Sequence, residues 1–243
     1  MYRLCTFLLA ALPGLSFWMP NCAEGKVIGQ LEYVIHHQQL GDVGTHLVTI
    51  SASDDGYVIA VDNEIAAKFL FWTHREVFHH TEVWRDGRLT EFRGSTTQPG
   101  DEETVTVLAR AIGDKLIVDG PAGKVTAPGD VLSSHPWNPG ILSQHRLMSI
   151  KDGTLKKVHV TPAGEEALMA GGTRVLARKY VMTGDLTREL WYDEHGLCLQ
   201  VRLIEAGTTV TVTLNPASDP DLIGNLRSVL KSMGAVTDQT VSR

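Results

Sequence analysis

The sequence predicts an all-β fold, a strongly curved antiparallel sheet that forms a half-barrel or incomplete β-barrel, with one C-terminal amphipathic helix. The first observation is a repeated hairpin pattern: residues 82–92 and 189–199 each contain Glu-x-Trp, a polar turn with Asp and Gly, and a second alternating segment. The second is that alternating segments bounded by Gly, Pro or Asp recur along the chain, about eleven in number. The third is the lack of a second long helical period, which argues against alternating helices and parallel strands.

The chain divides into a predicted signal peptide (1–23), an antiparallel β domain (24–216), and a C-terminal helix with its tail (217–243). Arg3 precedes an apolar run over residues 4–19 that is too short to span a bilayer comfortably. We expect cleavage near Ala23 and a soluble periplasmic protein with no integral membrane segment. Lipidation at Cys22 is disfavoured because the three residues before it lack the aliphatic and small side chains of such sites.

The strands follow from alternation between turn signals. A long segment, 68–84, has two faces of mixed polarity, which suits a strand that bends midway. Between residues 128 and 147 the alternation stops, and Pro136, Pro139 and Gly140 predict an irregular crossover with one helical turn. The other predicted strands cover 31–38, 45–51, 57–62, 89–96, 104–111, 115–118, 156–161, 174–183, 186–192, 197–205 and 208–214.

The C-terminal helix has both a start signal and an apolar stripe. Asp219 is a good N-cap, and Pro220 suits the first helical position. Gly234 stands where a C-terminal cap belongs. The helix is expected to dock on the β body through apolar residues at helical spacing: Leu222, Ile223, Leu226, Val229, Leu230 and Met233.

Composition excludes several classes of function. The net charge is −6 and no stripe of Lys or Arg is present, so no nucleic-acid partner is expected. A hydrophobic share of 43% with 21% charged residues is typical of a folded globular protein. If the signal peptide is removed after Ala23, Cys198 is the single remaining cysteine and is expected to be a small buried apolar residue.

No catalytic constellation is recognisable, and the sequence predicts no catalytic residue, cofactor or metal site. It has no Gly-x-Ser-x-Gly elbow, phosphate loop or dinucleotide motif. His74, Glu76, His80 and Glu82 share one strand face. Neighbours along such a face are about 7 Å apart, so a metal would need ligands from adjacent strands that the sequence does not identify.

Aromatic residues are the candidates for a ligand-binding cavity. Trp72, Phe78 and Trp84 share a strand face, and Trp191 follows Glu189 as Trp84 follows Glu82. Such rows are found in packed cores and also line the concave side of curved sheets, and both interpretations stay open. We expect Trp84 and Trp191 on the concave side, with their two glutamates nearer its wet rim.

The chain resembles an uncharacterised bacterial family of exported proteins, a domain of unknown function, over roughly residues 30–214. The matching points include Gly44-x-His46, Glu82-x-Trp84-x-x-Gly87, an isolated Trp137 and residues 190–193, Leu-Trp-Tyr-Asp. The layout is similar to periplasmic lipoprotein carriers of the LolA and LolB type. That similarity implies an incomplete β-barrel around an acyl-chain cavity and supplies no catalytic residues.

Three hypotheses for function follow. The leading one is a non-enzymatic binding or carrier module for an apolar or lipid-like ligand. The alternative is a structural or assembly factor of the cell envelope that acts through an envelope protein partner. A metal-assisted hydrolase is third.

Overall fold

The computed structural model describes residues 25–68, 73–97, 104–170, 172–205, 207–215, 218 and 220–232. The predicted signal peptide and Trp72 lie outside these residues. For His74 and a few others in strands and at the helix ends, only the backbone is described.

The described chain forms one large, mostly antiparallel, unclosed sheet, which confirms the predicted fold class. The strands are β1 (Val27–His37), β2 (Gly41–Ser53), β3 (Gly56–Lys68), β4 (Thr73–Arg85), β5 (Arg88–Thr97), β6 (Val105–Ile112), β7 (Lys115–Gly120), β8 (Gly123–Pro128), β9 (Leu132–Ser133), β10 (Arg146–Met148), β11 (Leu155–Ala170), β12 (Thr173–Gly184), β13 (Arg188–Tyr192), β14 (Cys198–Glu205) and β15 (Thr208–Leu214).

Strand order follows the chain except at one place. β1 pairs with β15, so the two halves of the sheet, β1 to β8 and β9 to β15, join through the first and last strands. Every other neighbour is consecutive in sequence, and β9 with β10 is the parallel pair. The edge strands of the sheet are β8 and β9. Apart from the β1–β15 and β9–β10 pairs, neighbouring strands are joined by short connections, which require the two strands to be antiparallel.

The inner face of the sheet is defined here as the face that carries Tyr33 and Ile35. Both side chains are buried, and the strand alternation of β1 leaves Val34 on the opposite, outer face. Register then extends the inner face across four strands, because Tyr33 pairs with His46, His46 with Asn63, and Asn63 with Phe78.

The crossover segment, residues 129–154, covers part of this inner face. It contains a short 3-10 helix (Pro139–Ser143), which agrees with the predicted irregular crossover and its helical turn. Trp137 and Ile141 are buried. The segment is held by side chains of the second half of the sheet: Arg188 donates to the Ser134 carbonyl (2.7 Å) and the Tyr192 hydroxyl to the Pro136 carbonyl (2.8 Å).

The helix α1 (Pro220–Ser232) forms where the sequence predicts it and contacts β1. Ile223, Leu226 and Leu230 are buried in the main core, as their helical spacing requires. Arg227 adds a salt bridge to Asp193 (2.6 Å), which joins the helix to the turn after β13.

The described strands number fifteen, more than the eleven or twelve predicted. The sequence missed β8, β9 and β10, which are short, and the second half of β11. In β11 a register shift lies between Pro162 and Glu165, and the exposed residues there do not alternate between apolar and polar. Of the predicted long strand, the described part is β4 from Thr73 onward, Lys68 ends β3, and residues 69–72 lie outside the described residues.

Candidate functional site

A cavity of about 370 Å³ lies between the two halves of the sheet and the crossover segment. Strands β1 to β4 supply one wall, β14 and β15 supply another, and residues 134–137 with 150 and 151 contribute from the crossover. Much of the lining is apolar, from Ile35, Ile65, Phe78, Val201, Leu203 and Val212. A concave site of this size, with a few polar groups, is typical of small-molecule binding.

A pair of histidines forms part of the polar lining of the cavity. His46 of β2 and His135 of the crossover lie with their Nε2 atoms 2.9 Å apart and their rings stacked at 5.0 Å between centroids. The Nδ1 of His135 is 3.3 Å from the Trp137 backbone nitrogen, and the Nδ1 of His46 is 3.3 Å from the Asn63 Oδ1. The pair therefore joins the crossover to the sheet.

Both imidazoles favour the neutral state. Burial and the neighbouring His80 lower the pKa of His46 to about 4, although Asn63 and Asp62 act in the opposite direction. Burial, followed by His46, His80 and Arg188, lowers the pKa of His135 well below its ordinary value. Two neutral rings can share one proton across a 2.9 Å contact, whereas two imidazolium ions at that distance would repel each other.

A buried carboxylate lies next to the histidines. Glu82 is fully buried, and its Oε2 accepts hydrogen bonds from the indole nitrogens of Trp84 (2.8 Å) and Trp137 (2.9 Å). Its Oε1 is 3.5 Å from the His80 Nε2. Burial raises the pKa of the Glu82 carboxyl, but His80, Ser133 and Trp137 outweigh this and lower it. The carboxylate thus fastens the crossover to β4.

His80 completes this cluster and is poorly satisfied. Its side chain is inaccessible, and among the described residues neither ring nitrogen has a hydrogen-bond partner of good geometry. Its ring contacts those of His135, Phe78 and Phe92 at centroid distances of 5.1–5.4 Å. Within the part of the chain that the structure describes, no three His, Cys, Asp or Glu side chains are placed to hold a metal ion.

The aromatic candidates occupy different surroundings. Phe78 lines the cavity. Trp84 is on the inner face but is not among the residues that line the cavity, and its ring stands perpendicular to that of Trp137 at 5.3 Å between centroids. Trp191 lies on the outer face, because its register partners are Gln200, then Thr213, then Val34. Trp72 lies outside the described residues.

The glutamates also depart from expectation. Glu82 is not at a wet rim: it is fully buried, the two indole N–H groups bind one of its oxygens, and the other oxygen lies 3.5 Å from the His80 Nε2. Glu189 is partly exposed on the outer face, where it pairs with Lys179 (2.8 Å) and Arg202 (2.9 Å).

Cavity residues that sequence reasoning missed include His46, Asn63 and His135. His46 and Trp137 stood among the residues that suggested the family, which was a usable signal, while Asn63 and His135 carried none. Cys198 also lines the cavity, and burial raises the pKa of its thiol to about 12. It is therefore a protonated, apolar part of the wall.

Comparison with protein families gives a match over residues 33–215, most of the chain, to the domain of unknown function DUF6134. The chain belongs to this family. The match has nearly the extent of the resemblance suggested by the sequence, and α1 lies outside it. No curated protein matches the chain.

Among solved structures, the chain is similar to a β-barrel-like protein of the domain of unknown function DUF1849 from Brucella abortus. The TM-score is 0.58 at 10% identity, and the match covers 79% of this chain and 97% of the other. At this identity the similarity concerns the fold alone. In the described residues, no helix is both long and apolar enough to cross a membrane.

Proposed function

We propose that this protein is a non-enzymatic binding or carrier module for an apolar or lipid-like small molecule, held in the cavity between the two halves of the sheet. The observation that carries the proposal is the cavity of about 370 Å³ with its apolar lining. That space corresponds to about a dozen water molecules at roughly 30 Å³ each. Burying an apolar ligand there would release that water, at about 25 cal/mol per Å² of apolar surface.

The surroundings of the cavity support a preformed site. The crossover is anchored by Glu82 through Trp137 and by Arg188 through the Ser134 carbonyl. Such anchors fix one wall before a ligand arrives and reduce the entropic cost of binding. The proposal includes the similarity to periplasmic lipoprotein carriers that the sequence suggested, because those proteins hold an acyl chain in an incomplete β-barrel.

The experiment is a titration of the natively purified protein with the fluorescent probe anilinonaphthalene sulfonate, together with mass spectrometry of organic extracts. We expect one saturable site, and lipid-like material in the extract. Val212→Phe, or as a second variant Ile65→Phe, fills the cavity and is expected to abolish saturable binding.

Leu176→Phe is the matched control, because Leu176 is 62% exposed on β12, away from the cavity. Near-ultraviolet circular dichroism shows whether each variant keeps its packing. Saturable binding that survives both cavity-filling changes in folded protein would place the ligand elsewhere and overturn the proposal.

One observation favours the alternative, an envelope assembly factor that acts through protein contacts. The hairpin of β11 and β12 exposes Met169 (65%) and Leu176 (62%), and exposed apolar groups are common at interaction sites. A photo-crosslinking residue at position 169, compared with one at the exposed position 112, tests this in cells. A specific partner at 169 alone, with no probe binding in the cavity, would favour the alternative.

Export to the periplasm is part of the proposal, and N-terminal sequencing with intact mass measurement tests it. A mature chain that begins near Glu24 is expected. A lipid mass on Cys22 would instead indicate a lipoprotein, and intact Met1 in the cytosolic fraction would contradict export.

A further inference from the structure

Proton positions around the histidine pair can be deduced from one fixed donor. The backbone N–H of Trp137 can only donate, so the His135 Nδ1 it faces at 3.3 Å is an acceptor and carries no proton. A neutral imidazole carries one proton, and that proton is therefore on the His135 Nε2. It points at the His46 Nε2, 2.9 Å away, which must accept it.

The chain of hydrogen bonds continues through His46 to the cavity wall. With Nε2 accepting, the proton of the His46 ring is on Nδ1, and it is donated to the Asn63 Oδ1 at 3.3 Å. This contact fixes the orientation of the amide, with its oxygen toward His46. Among the described residues the Asn63 Nδ2 has no hydrogen-bond partner, and Asn63 lines the cavity. The chain of hydrogen bonds thus ends in the NH₂ donor of a residue that lines the cavity.

The charged side chains that line the cavity do not give it a net charge. Lys151 and Arg188 line the cavity, and so do Glu76 and Asp185, so the formal charges of these four side chains cancel. We therefore expect directional hydrogen bonding, rather than net charge, to determine which polar head group of a ligand binds more tightly. An N–H donor without an acceptor in a site with little water raises the free energy of the protein, and a ligand that brings an acceptor removes this penalty.

We propose that the cavity selects apolar molecules whose head group is a hydrogen-bond acceptor, a carbonyl or carboxylate oxygen, received by the Asn63 amide. This inference rests on the proposed binding function and names the chemical class of its ligand. His46 and His135 act as positioning residues, because the proton on the His46 Nδ1 occupies the amide oxygen and leaves the NH₂ group for a ligand.

The test compares chain-matched probes: methyl decanoate, decanoate and decylammonium, each titrated by displacement of anilinonaphthalene sulfonate at neutral pH. Methyl decanoate is expected to bind roughly tenfold more tightly than decylammonium, since the cation brings only donors. Decanoate is included because it is both an acceptor and an anion, so comparing it with the neutral ester separates a preference for acceptors from a preference for negative charge. Decanoate is expected to bind about as tightly as the ester, and displacement by decanoate alone would mean that charge, not acceptor geometry, selects the ligand.

Asn63→Asp is the decisive variant, because it replaces the NH₂ donor with an acceptor of the same shape. It is expected to abolish or reverse the preference for the ester over the ammonium. Asn63→Leu removes both groups and is expected to leave little preference. Asn225→Asp makes the same chemical change at an exposed position of α1 and is expected to keep the wild-type preference.

The outcomes separate the two proposals. If all three probes bind with equal affinity, or Asn63→Asp keeps the wild-type preference, the inference about the head group fails while the binding function stands. If no probe displaces the dye and the dye itself does not bind saturably, both fail.

Discussion

The two Glu-x-Trp hairpins begin from nearly the same sequence and are placed on opposite faces of one sheet. In the first, Trp84 points to the inner face, and its indole shares the buried Glu82 carboxylate with Trp137. In the second, Trp191 points to the outer face, and its indole donates to the half-exposed Glu166 (3.0 Å). Both rings are buried.

The means of burial differ. The first ring is covered by the crossover segment, in an environment with little water. Charged groups flank the second: the Lys179 Nζ and the Arg202 Cζ each lie 4.9 Å from the Trp191 ring centroid. One local pattern therefore forms either a dry anchor or a charge-covered surface. We expect the contribution of its glutamate to the free energy of unfolding to differ accordingly.

The largest difference is expected between the two glutamates. Glu82→Ala removes the acceptor of two buried indole N–H groups and the partner of His80, and we expect a loss of about 3–5 kcal/mol in the free energy of unfolding. Glu189→Ala removes a partly exposed carboxylate and is expected to cost less than about 1 kcal/mol. Urea denaturation followed by tryptophan fluorescence measures both. Equal losses would mean that the two hairpins do not differ in this way.

Acid should affect the inner region in a separate pH range. The folded-state pKa of His46 is about 4 and that of His135 is also lowered, whereas both are near 6.5 in an unfolded chain. Below pH 6.5 the unfolded chain therefore binds protons that the folded chain does not. The stability contributed by the neutral pair is complete above that pH and is lost as the pH falls toward 4, at up to about 1.4 kcal/mol per pH unit for each histidine.

His46→Gln is expected to flatten this dependence by about one proton, as measured by urea midpoints between pH 7 and pH 4.5. His195→Gln, at an exposed position in the turn of the second hairpin, is the matched control and should leave the slope unchanged. A slope that is identical in all three proteins would contradict the assignment of the acid sensitivity to the inner histidine pair.

A smaller effect separates the two tryptophans. Substitution by Ala should cost about 3–5 kcal/mol at either site because both rings are buried, so it cannot distinguish them. Phe substitution can, because it mainly removes the N–H group. Trp84→Phe removes one of the two indole hydrogen bonds to the fully buried Glu82 carboxylate. We expect it to lower the free energy of unfolding by about 1 kcal/mol more than Trp191→Phe does. Chemical denaturation of the two variants in the same buffer tests this.

The smallest effect is expected for the charged side chains that lie over the Trp191 ring. Lys179 pairs with both Glu189 and Glu166 (2.8 and 3.3 Å), and its hydrogen bond to Glu189 raises the pKa of its ammonium. Lys179→Met keeps the apolar stem and is expected to cost less than about 1 kcal/mol. The salt dependence of unfolding should also weaken. Salt dependence that is unchanged would show that these ion pairs contribute nothing measurable.

The sequence alone was enough for the local part of the first hairpin. The Asp86-Gly87 turn has positive φ at both residues (49° and 71°), which a two-residue hairpin turn requires, and Asp-Gly between alternating segments is its signal. In the second hairpin Gly196 has φ 80°, and Asp193 Oδ1 accepts the N–H groups of His195 and Leu197. These interactions lie within a few residues, so they are visible in the pattern.

The α1 helix was predictable for the same reason. Its start at Pro220 and its apolar stripe depend on neighbours one turn apart. Alternation likewise located most strands. It failed at β9 and β10, which are two and three residues long, at β8, which begins with Gly and ends with Pro, and in the second half of β11, after its register shift between Pro162 and Glu165.

Only the tertiary structure decided which face of each hairpin is inside. Alternation separates Glu82 and Trp84 from Val83, but it does not say which set meets the crossover, and the two hairpins resolve this choice in opposite ways. The cavity was equally out of reach, because His46, His80 and His135 come from β2, β4 and the crossover. Sequence periodicity carries information over a few residues, whereas the site is made by contacts between residues as far apart as Tyr33 and Cys198, which are separated by 165 positions.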